Sequence, residues 1–357
     1  MVVRKLNFIQ TLRGISALIV CIHHSRYLVE IENENTILDS IRGSIGVSLF
    51  FIISGFIMVF ATQNLSDNII VNVKDFLIKR IIRIVPLFYF VIILYLIICH
   101  SNYLFYFTTY LNNFLKTILF IPLFTESIGP AYGFSFMYVS WSLNYEMLFY
   151  IIFALSLFFR KGRYVFIYLF ITTSVFIMPL LFKGSFSFSY ETTNNFSCNY
   201  LNFISNPILL LFLVGVTMGL VLPKIKIKPN LALYSLLGSI VIFSGYFFKL
   251  IPEFIGDELI ICSLLVFTVL LMDYNAPGYK IPNFMVYLGN ISYSLYLLHP
   301  IVYLYLFGLV KKVGYHWESS WYFVCIGILF VFISSCITYE LIEKRFTAFL
   351  RKKLLSH

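Results

Sequence analysis

Apolar runs of about 20 residues recur along almost the whole chain, each long enough to cross a hydrocarbon core of roughly 30 Å as a helix. Ten can be placed, at 8–28, 43–62, 76–98, 138–159, 163–182, 203–222, 231–249, 257–273, 285–308 and 320–342. They lack the dyad alternation of a membrane barrel. Backbone in lipid must satisfy its own polar groups, so the runs predict an all-α, polytopic membrane protein. Composition agrees: 60% of the 357 residues are hydrophobic, 12% are charged and the mean hydropathy is +0.89, which excludes a water-soluble class.

Charge distribution orients the spans. With ten spans and both termini in the cytoplasm, 19 of the 26 Lys and Arg fall on the cytoplasmic side and 7 outside. The segment 102–124 is apolar but broken by Asn112, Asn113, Lys116 and Pro122. Counted as an eleventh span it leaves only 11 cations inside, so the positive-inside rule favours ten spans with 102–124 in the interface. The formal charge of +10 then reflects basic loops against anionic membrane lipid rather than nucleic-acid binding. The six cysteines show neither metal-ligand nor redox spacing, and no metal is expected. The start is signal-peptide-like, but Arg13 interrupts the short apolar core and nine more spans follow, so a retained first helix is expected. Residues 1–345 read as one transmembrane domain and 346–357 as a basic cytoplasmic tail.

Ionisable side chains inside such spans cost roughly 2.5 kcal/mol or more each at mid-bilayer, so they are functional candidates by default. Arg13 and His24 are eleven residues apart in the first span. At 100° per residue they share one face to within about 20° and lie roughly 16 Å apart along the axis, while His23 points about 100° away. That suits an extended ligand with an anionic end at Arg13 and a reactive end at His24; the alternative is a snorkelling arginine and an interhelical histidine. Arg80 and Arg83, at i and i+3 in "KRIIRIVP", share a face fit for bidentate phosphate binding or for a topology anchor. In the second span Gly46, Ser54 and Gly55 permit close helix approach, and Ser54 with Gly55 can expose backbone to a cavity. The fourth span places Glu146 one turn after Ser142, with Trp141 and Tyr145 on the adjacent strip. The ninth carries a polar stripe, Ser292, Tyr296 and His299, beside Pro300.

Taken in order, these segments resemble the acyltransferase 3 family of membrane acyltransferases. The resemblance rests on "LRGISALIVCIHH" with Arg13 and His24, "GVSLFFIISGF", "RIIR" with Arg80 and Arg83, "WSLNYEMLFY" with Trp141, Ser142 and Glu146, and "SYSLYLLHP" with Tyr296 and His299. It covers essentially the whole chain. Two departures stand out: Ser48 where many relatives have Asp, and Arg345 where Pro is frequent. The resemblance implies transfer of an acyl group, usually acetyl from cytoplasmic acetyl-CoA, to a hydroxyl of a polysaccharide (O-antigen, capsule or exopolysaccharide) or lipid-linked glycan at the plasma (inner) membrane. It implies His24 as general base on the acceptor hydroxyl, or as acceptor of the acetyl in an acyl-imidazole, with Glu146 orienting the ring or stabilising its protonated form. Arg13, Arg80 and Arg83 are then implied on the donor's phosphates, and Ser54, Trp141, Ser142, Tyr296 and His299 on the rest of the site.

Two other classes compete. A proton-coupled exporter of a glycan or lipid-linked sugar also needs intramembrane Arg, His and Glu, but the chain shows no internal symmetry. A glycan polymerase or ligase needs a large external loop with Arg and His, whereas 99–137 has one Lys, no Arg and only His100. Tyr103, Tyr106, Tyr110 and Tyr132 suit an interfacial belt or a sugar-stacking surface.

Overall fold

The computed structural model describes residues 6–28, 41–99, 107–123, 127–133, 137–192, 194, 196–313 and 321–355. The acidic loop 29–40, with Tyr103 and Tyr106, lies outside the described residues. In chain order the helices are α1 (Asn7–His24), α2 (Ser44–Ala61), α3 (Ile69–Cys99), α4 (Phe107–Ile118), α5 (Trp141–Leu157), α6 (Arg163–Thr172), α7 (Met178–Lys183) and α8 (Asn199–Ile204). They continue with α9 (Leu209–Val221), α10 (Pro229–Phe247), α11 (Asp257–Asn275), α12 (Asn283–Asn290), α13 (Ser292–Val313), α14 (Trp321–Thr338) and α15 (Thr347–Leu354). Short π-helical segments join α6 to α7 and α14 to α15. No strand occurs among the described residues.

Seven of the described helices are long and apolar enough to cross a membrane: Ser44–Ala61, Ile69–Ile98, Arg160–Lys183, Tyr200–Lys224, Pro229–Phe247, Ser292–Leu309 and Trp321–Leu354. The other three expected spans correspond to α1, α5 and α11. These are helices of 18, 17 and 19 residues that carry Arg13, Glu146 and the acids Asp257, Glu258 and Asp273. Between α3 and α5 the expected interfacial segment contains α4, whose 12 residues fall short of the roughly 20 needed for a crossing.

The chain divides into two compact units. The first comprises Met1–Val59 and Val214–Tyr339. There α1 packs against α11, α12 and α13, α13 against α14, and α10 against α11. Its core joins Ala17 and Cys21 of α1 to Ile291, Leu295, Tyr303, Phe323 and Val331. The start of α1 has no cap of its own, since Leu6 offers no side-chain acceptor. Its orphan N–H groups are met from far along the chain: Phe8 and Ile9 donate to the two carboxylate oxygens of Asp273 in α11, at 3.0 and 2.9 Å. A carboxylate at a helix N-terminus also complements the dipole.

A little further on, α1 crosses α12 at Gly14 and Gly289. A Cβ on Gly289 would lie 1.9 Å from the Gln10 carbonyl oxygen, and one on Gly14 would lie 2.7 Å from the Gly289 nitrogen. Both obstacles are backbone, so neither can turn aside. We expect Gly289→Ala to force the helices apart and cost about 1–3 kcal/mol or more. A thermal melt of the purified protein no lower than wild type would contradict that crossing.

The second unit comprises Phe60–Leu213 and Glu340–His357. In it α3 packs against α5 and α15. Phe76 of α3 stacks on Phe153 with centroids 5.2 Å apart and meets Tyr150 edge-on at 6.3 Å. Helix α3 runs through Pro86 without a break, as α13 does through Pro300.

Candidate functional site

In the first unit the site is built on α1 and α13. Helix α1 ends at His24, where Ser25 turns the chain and its hydroxyl donates back to the Ile22 carbonyl at 2.6 Å. The α13 stripe Leu295, His299 and Tyr303 repeats every four residues and runs beside that end. The Cys21 thiol donates to the Leu295 carbonyl at 3.5 Å, and the Tyr303 hydroxyl to the Cys21 carbonyl at 3.0 Å. These contacts fix the register of the two helices where the histidines meet.

His24 Nδ1 lies 3.1 Å from His299 Nε2, with ring planes 11° apart and centroids at 5.1 Å. His299 is fully buried, and its Nδ1 lies 3.1 Å from the Leu295 carbonyl oxygen. A carbonyl only accepts, so His299 Nδ1 carries the hydrogen and the neutral ring has its lone pair on Nε2. It follows from this network that His24 donates from Nδ1 and keeps its own lone pair on Nε2. Tyr296 packs edge-on between Phe50 of α2 and His299, with both centroids at 6.0 Å. His23 is engaged differently: its Nδ1 donates to the Ile41 carbonyl at 2.9 Å, and a Cβ on Gly43 would strike its ring.

Arg13 sits eleven residues back on the same uninterrupted helix. Its Nη1 donates to Gln10 Oε1 at 3.1 Å, and Gln10 Nε2 donates to Asn290 Oδ1 at 2.8 Å, so a three-residue chain holds the guanidinium. Ser48, one of the two departures noted above, donates to Glu258 Oε1 at 2.5 Å, and Ser44 reaches the other oxygen at 3.3 Å. A carboxylate from α11 therefore meets the Ser48 position. Nearby, Arg42 pairs with Glu253 at 3.2 Å and Asp257 at 3.7 Å and lies 4.1 Å over the Tyr246 ring. Ser54 lies half-buried in α2.

The second unit gathers the other candidates on α3 and α5. Arg80 is 8% exposed, wedged 5.4 Å from the Phe76 centroid and 5.7 Å from that of Tyr150. Its Nε is buried with no hydrogen-bond partner among the described residues. The Tyr150 hydroxyl donates to Glu146, and Arg80 lies within electrostatic reach of Arg83, Glu146 and Arg351. On the preceding turn of α5, Ser142 donates to the Val139 carbonyl at 3.2 Å and Trp141 meets Tyr145 edge-on at 6.2 Å. The arrangement joins a carboxylate and a phenol to a group of guanidiniums.

Four of these groups were not singled out by sequence: Tyr150, Glu258, Asp273 and Arg351. For Tyr150 a signal existed, because it extends the Ser142–Glu146 spacing by one further turn. Glu258 and Asp273 stand at the two ends of an apolar run and read there as boundary residues.

The family model described as an acyltransferase domain, of the acyltransferase 3 type, matches residues 6–339. The exopolysaccharide production protein ExoZ of Rhizobium meliloti strain 1021 is 28% identical over 278 residues, which are 76% of this chain and 79% of that protein. No solved structure matches.

Proposed function

We propose, because the chain belongs to the acyltransferase 3 family, that it transfers acetyl from cytoplasmic acetyl-CoA to a hydroxyl of an extracytoplasmic or lipid-linked polysaccharide at the plasma (inner) membrane. The likeness to a protein of exopolysaccharide production supports a polysaccharide acceptor. The observation that carries the chemistry is the histidine pair, which leaves His24 Nε2 with a lone pair.

In this reading His24 Nε2 takes the proton of the acceptor hydroxyl as its oxygen attacks the thioester carbonyl. The carbon–sulfur bond breaks, and the proton passes from His24 to the departing thiolate. His299 accepts from His24 Nδ1–H and holds the ring in the tautomer that the step needs, as a carboxylate does in a serine hydrolase. We assign an orienting role to His299; Glu146, the other candidate for it, accepts from the Tyr150 hydroxyl in the second unit. Arg13, Arg80 and Arg83 serve the donor's phosphates, and Ser54, Trp141, Ser142 and Tyr296 contribute to the acceptor and acyl path.

The test uses inverted membrane vesicles containing the full chain and its native glycan, supplied with acetyl-labelled acetyl-CoA. Label in alkali-labile ester on the glycan is expected. A glycan that gains none while it crosses the vesicle membrane would replace this reading with transport.

A further inference from the structure

The loop between α2 and α3 and the turn between α5 and α6 lie together in the second unit and border two adjoining open cavities that no residue assigned above explains, apart from Arg80. The larger, about 620 Å³, is lined by Ser66, Asn72, Arg160, Lys161, Arg163 and Tyr164 among others. The smaller, about 220 Å³, shares Leu65, Ser66 and Asn72 with it and extends to Asp75, Lys79 and Arg80. Together they hold five cations against the acids Asp67 and Asp75.

We propose that these cavities form a binding site for the phosphorylated nucleotide end of the acyl donor, with Arg160, Lys161 and Arg163 on its phosphates and Tyr164 against its base. The proposal rests on the reading of the donor as a coenzyme A thioester. Four observations point to it.

First, the cations of the turn are not paired with acids: among the described residues Arg160, Lys161 and Arg163 make no ion pair, whereas Lys79 reaches Asp75 at 3.8 Å. Second, the walls are built rather than loose. The Ser66 N–H and hydroxyl both donate to Asn72 Oδ1 at 2.9 Å, and Asn72 Nδ2 returns a bond to the Ser66 carbonyl at 2.7 Å. On the opposite wall Arg163 donates to the Tyr164 hydroxyl at 2.8 Å, with its guanidinium 4.6 Å from that ring's centroid. Third, Arg160 has φ 47°, a left-handed backbone that a non-glycine residue adopts at a cost, and such strain concentrates at functional sites. Fourth, Arg80 lines the smaller cavity, and its buried Nε has no hydrogen-bond partner among the described residues, whereas buried polar groups rarely go unmatched.

Size and chemistry favour a nucleotide. The larger cavity falls in the range of small-molecule sites, and an aromatic ring beside three cations matches a base carrying phosphates. An anionic lipid headgroup shares the phosphate chemistry and is the other possible source, so the test separates the two.

The purified full-length protein is placed in nanodiscs of phosphatidylcholine alone and titrated with adenosine 3′,5′-bisphosphate, which carries the base and phosphate but no thioester. Saturable binding is expected, and the Arg160→Ala/Lys161→Ala/Arg163→Ala variant should weaken it at least about tenfold through loss of charge-assisted contacts. In vesicles the same variant should raise the KM for acetyl-CoA by a similar factor and leave kcat within about twofold. A Lys352→Ala/Lys353→Ala variant of the basic tail should change neither. In the unmodified protein the bisphosphate should shield Lys161 from an amine-acylating reagent, a readout independent of variant folding.

Equal bisphosphate affinity in the triple variant, or no shielding of Lys161, overturns the site. So does wild-type protein that ignores the bisphosphate but retains phosphatidylglycerol through these three cations, which assigns the cavities to lipid. If vesicles transfer acetyl yet the variant keeps its KM, the cavity proposal fails alone. If they transfer none and the bisphosphate does not bind, the donor reading fails with it.

Discussion

Replacing His24 with alanine is expected to lower acetyl transfer to the glycan by about 10²–10⁴-fold, the usual contribution of a positioned general base. Protein abundance should stay near wild type, because the ring is only half-buried at the last residue of α1 and its loss leaves the Cys21, Leu295 and Tyr303 contacts in place. The measurement is labelled ester on glycan per unit of enzyme, read in vesicles at saturating acetyl-CoA. A variant that keeps its kcat would remove His24 from the chemistry whatever its KM does. His23→Ala serves as the comparison. That imidazole bonds the Ile41 carbonyl, so its loss should fall mainly on stability.

The second large effect concerns His299, whose role is to position and not to touch the reacting atoms. Its Nε2 is the acceptor that fixes the hydrogen on His24 Nδ1. His299→Leu removes that acceptor at similar volume, frees His24 to adopt the other tautomer, and is expected to cut kcat on the order of 10²-fold with little change in KM for either substrate. His299→Gln restores a carbonyl oxygen near the same place and should recover activity to within about tenfold of wild type. That difference separates positioning from packing, since a purely structural role would rank the two variants by stability. Equal kcat in the Leu and Gln variants at matched abundance would end the assignment. The two rings also differ in burial: His299 is fully enclosed, whereas His24 is half-buried.

How much of this was readable beforehand differs from residue to residue. The all-helical class followed from the apolar runs, because lipid leaves a backbone few alternatives. Seven of those runs form helices long and apolar enough to cross. Of the remaining three, α5 is only 17 residues long, α1 carries Arg13 and two terminal histidines, and α11 carries three acids. The shared face of Arg13 and His24 is local, set by helical periodicity, and so it was legible. The partner of His24 was not. His299 lies 275 residues away, and sequence spacing within α13 shows only that it belongs to a polar stripe. Glu146, the carboxylate that the family resemblance offers, accepts from the Tyr150 hydroxyl in the second unit. The same limit hid Asp273, whose bonds to the start of α1 span more than 260 residues, and the Ser48–Glu258 contact. The cations Arg160, Lys161 and Arg163 were counted for topology; only the fold of the facing loop turns them into the wall of a cavity.

Helix α1 is anchored at both ends: by Asp273 and the glycine crossing near its start, and by His299 and Tyr303 near its finish. A rod held at two points acts as a ruler. One residue added between Arg13 and His24 lengthens it by only about 1.5 Å but swings its far end through roughly 100°. The imidazole then faces away from His299 while every side chain of the site is still present. The ten-residue interval is thus itself a functional part, and deleting or inserting a single alanine there should be as damaging as removing a catalytic group.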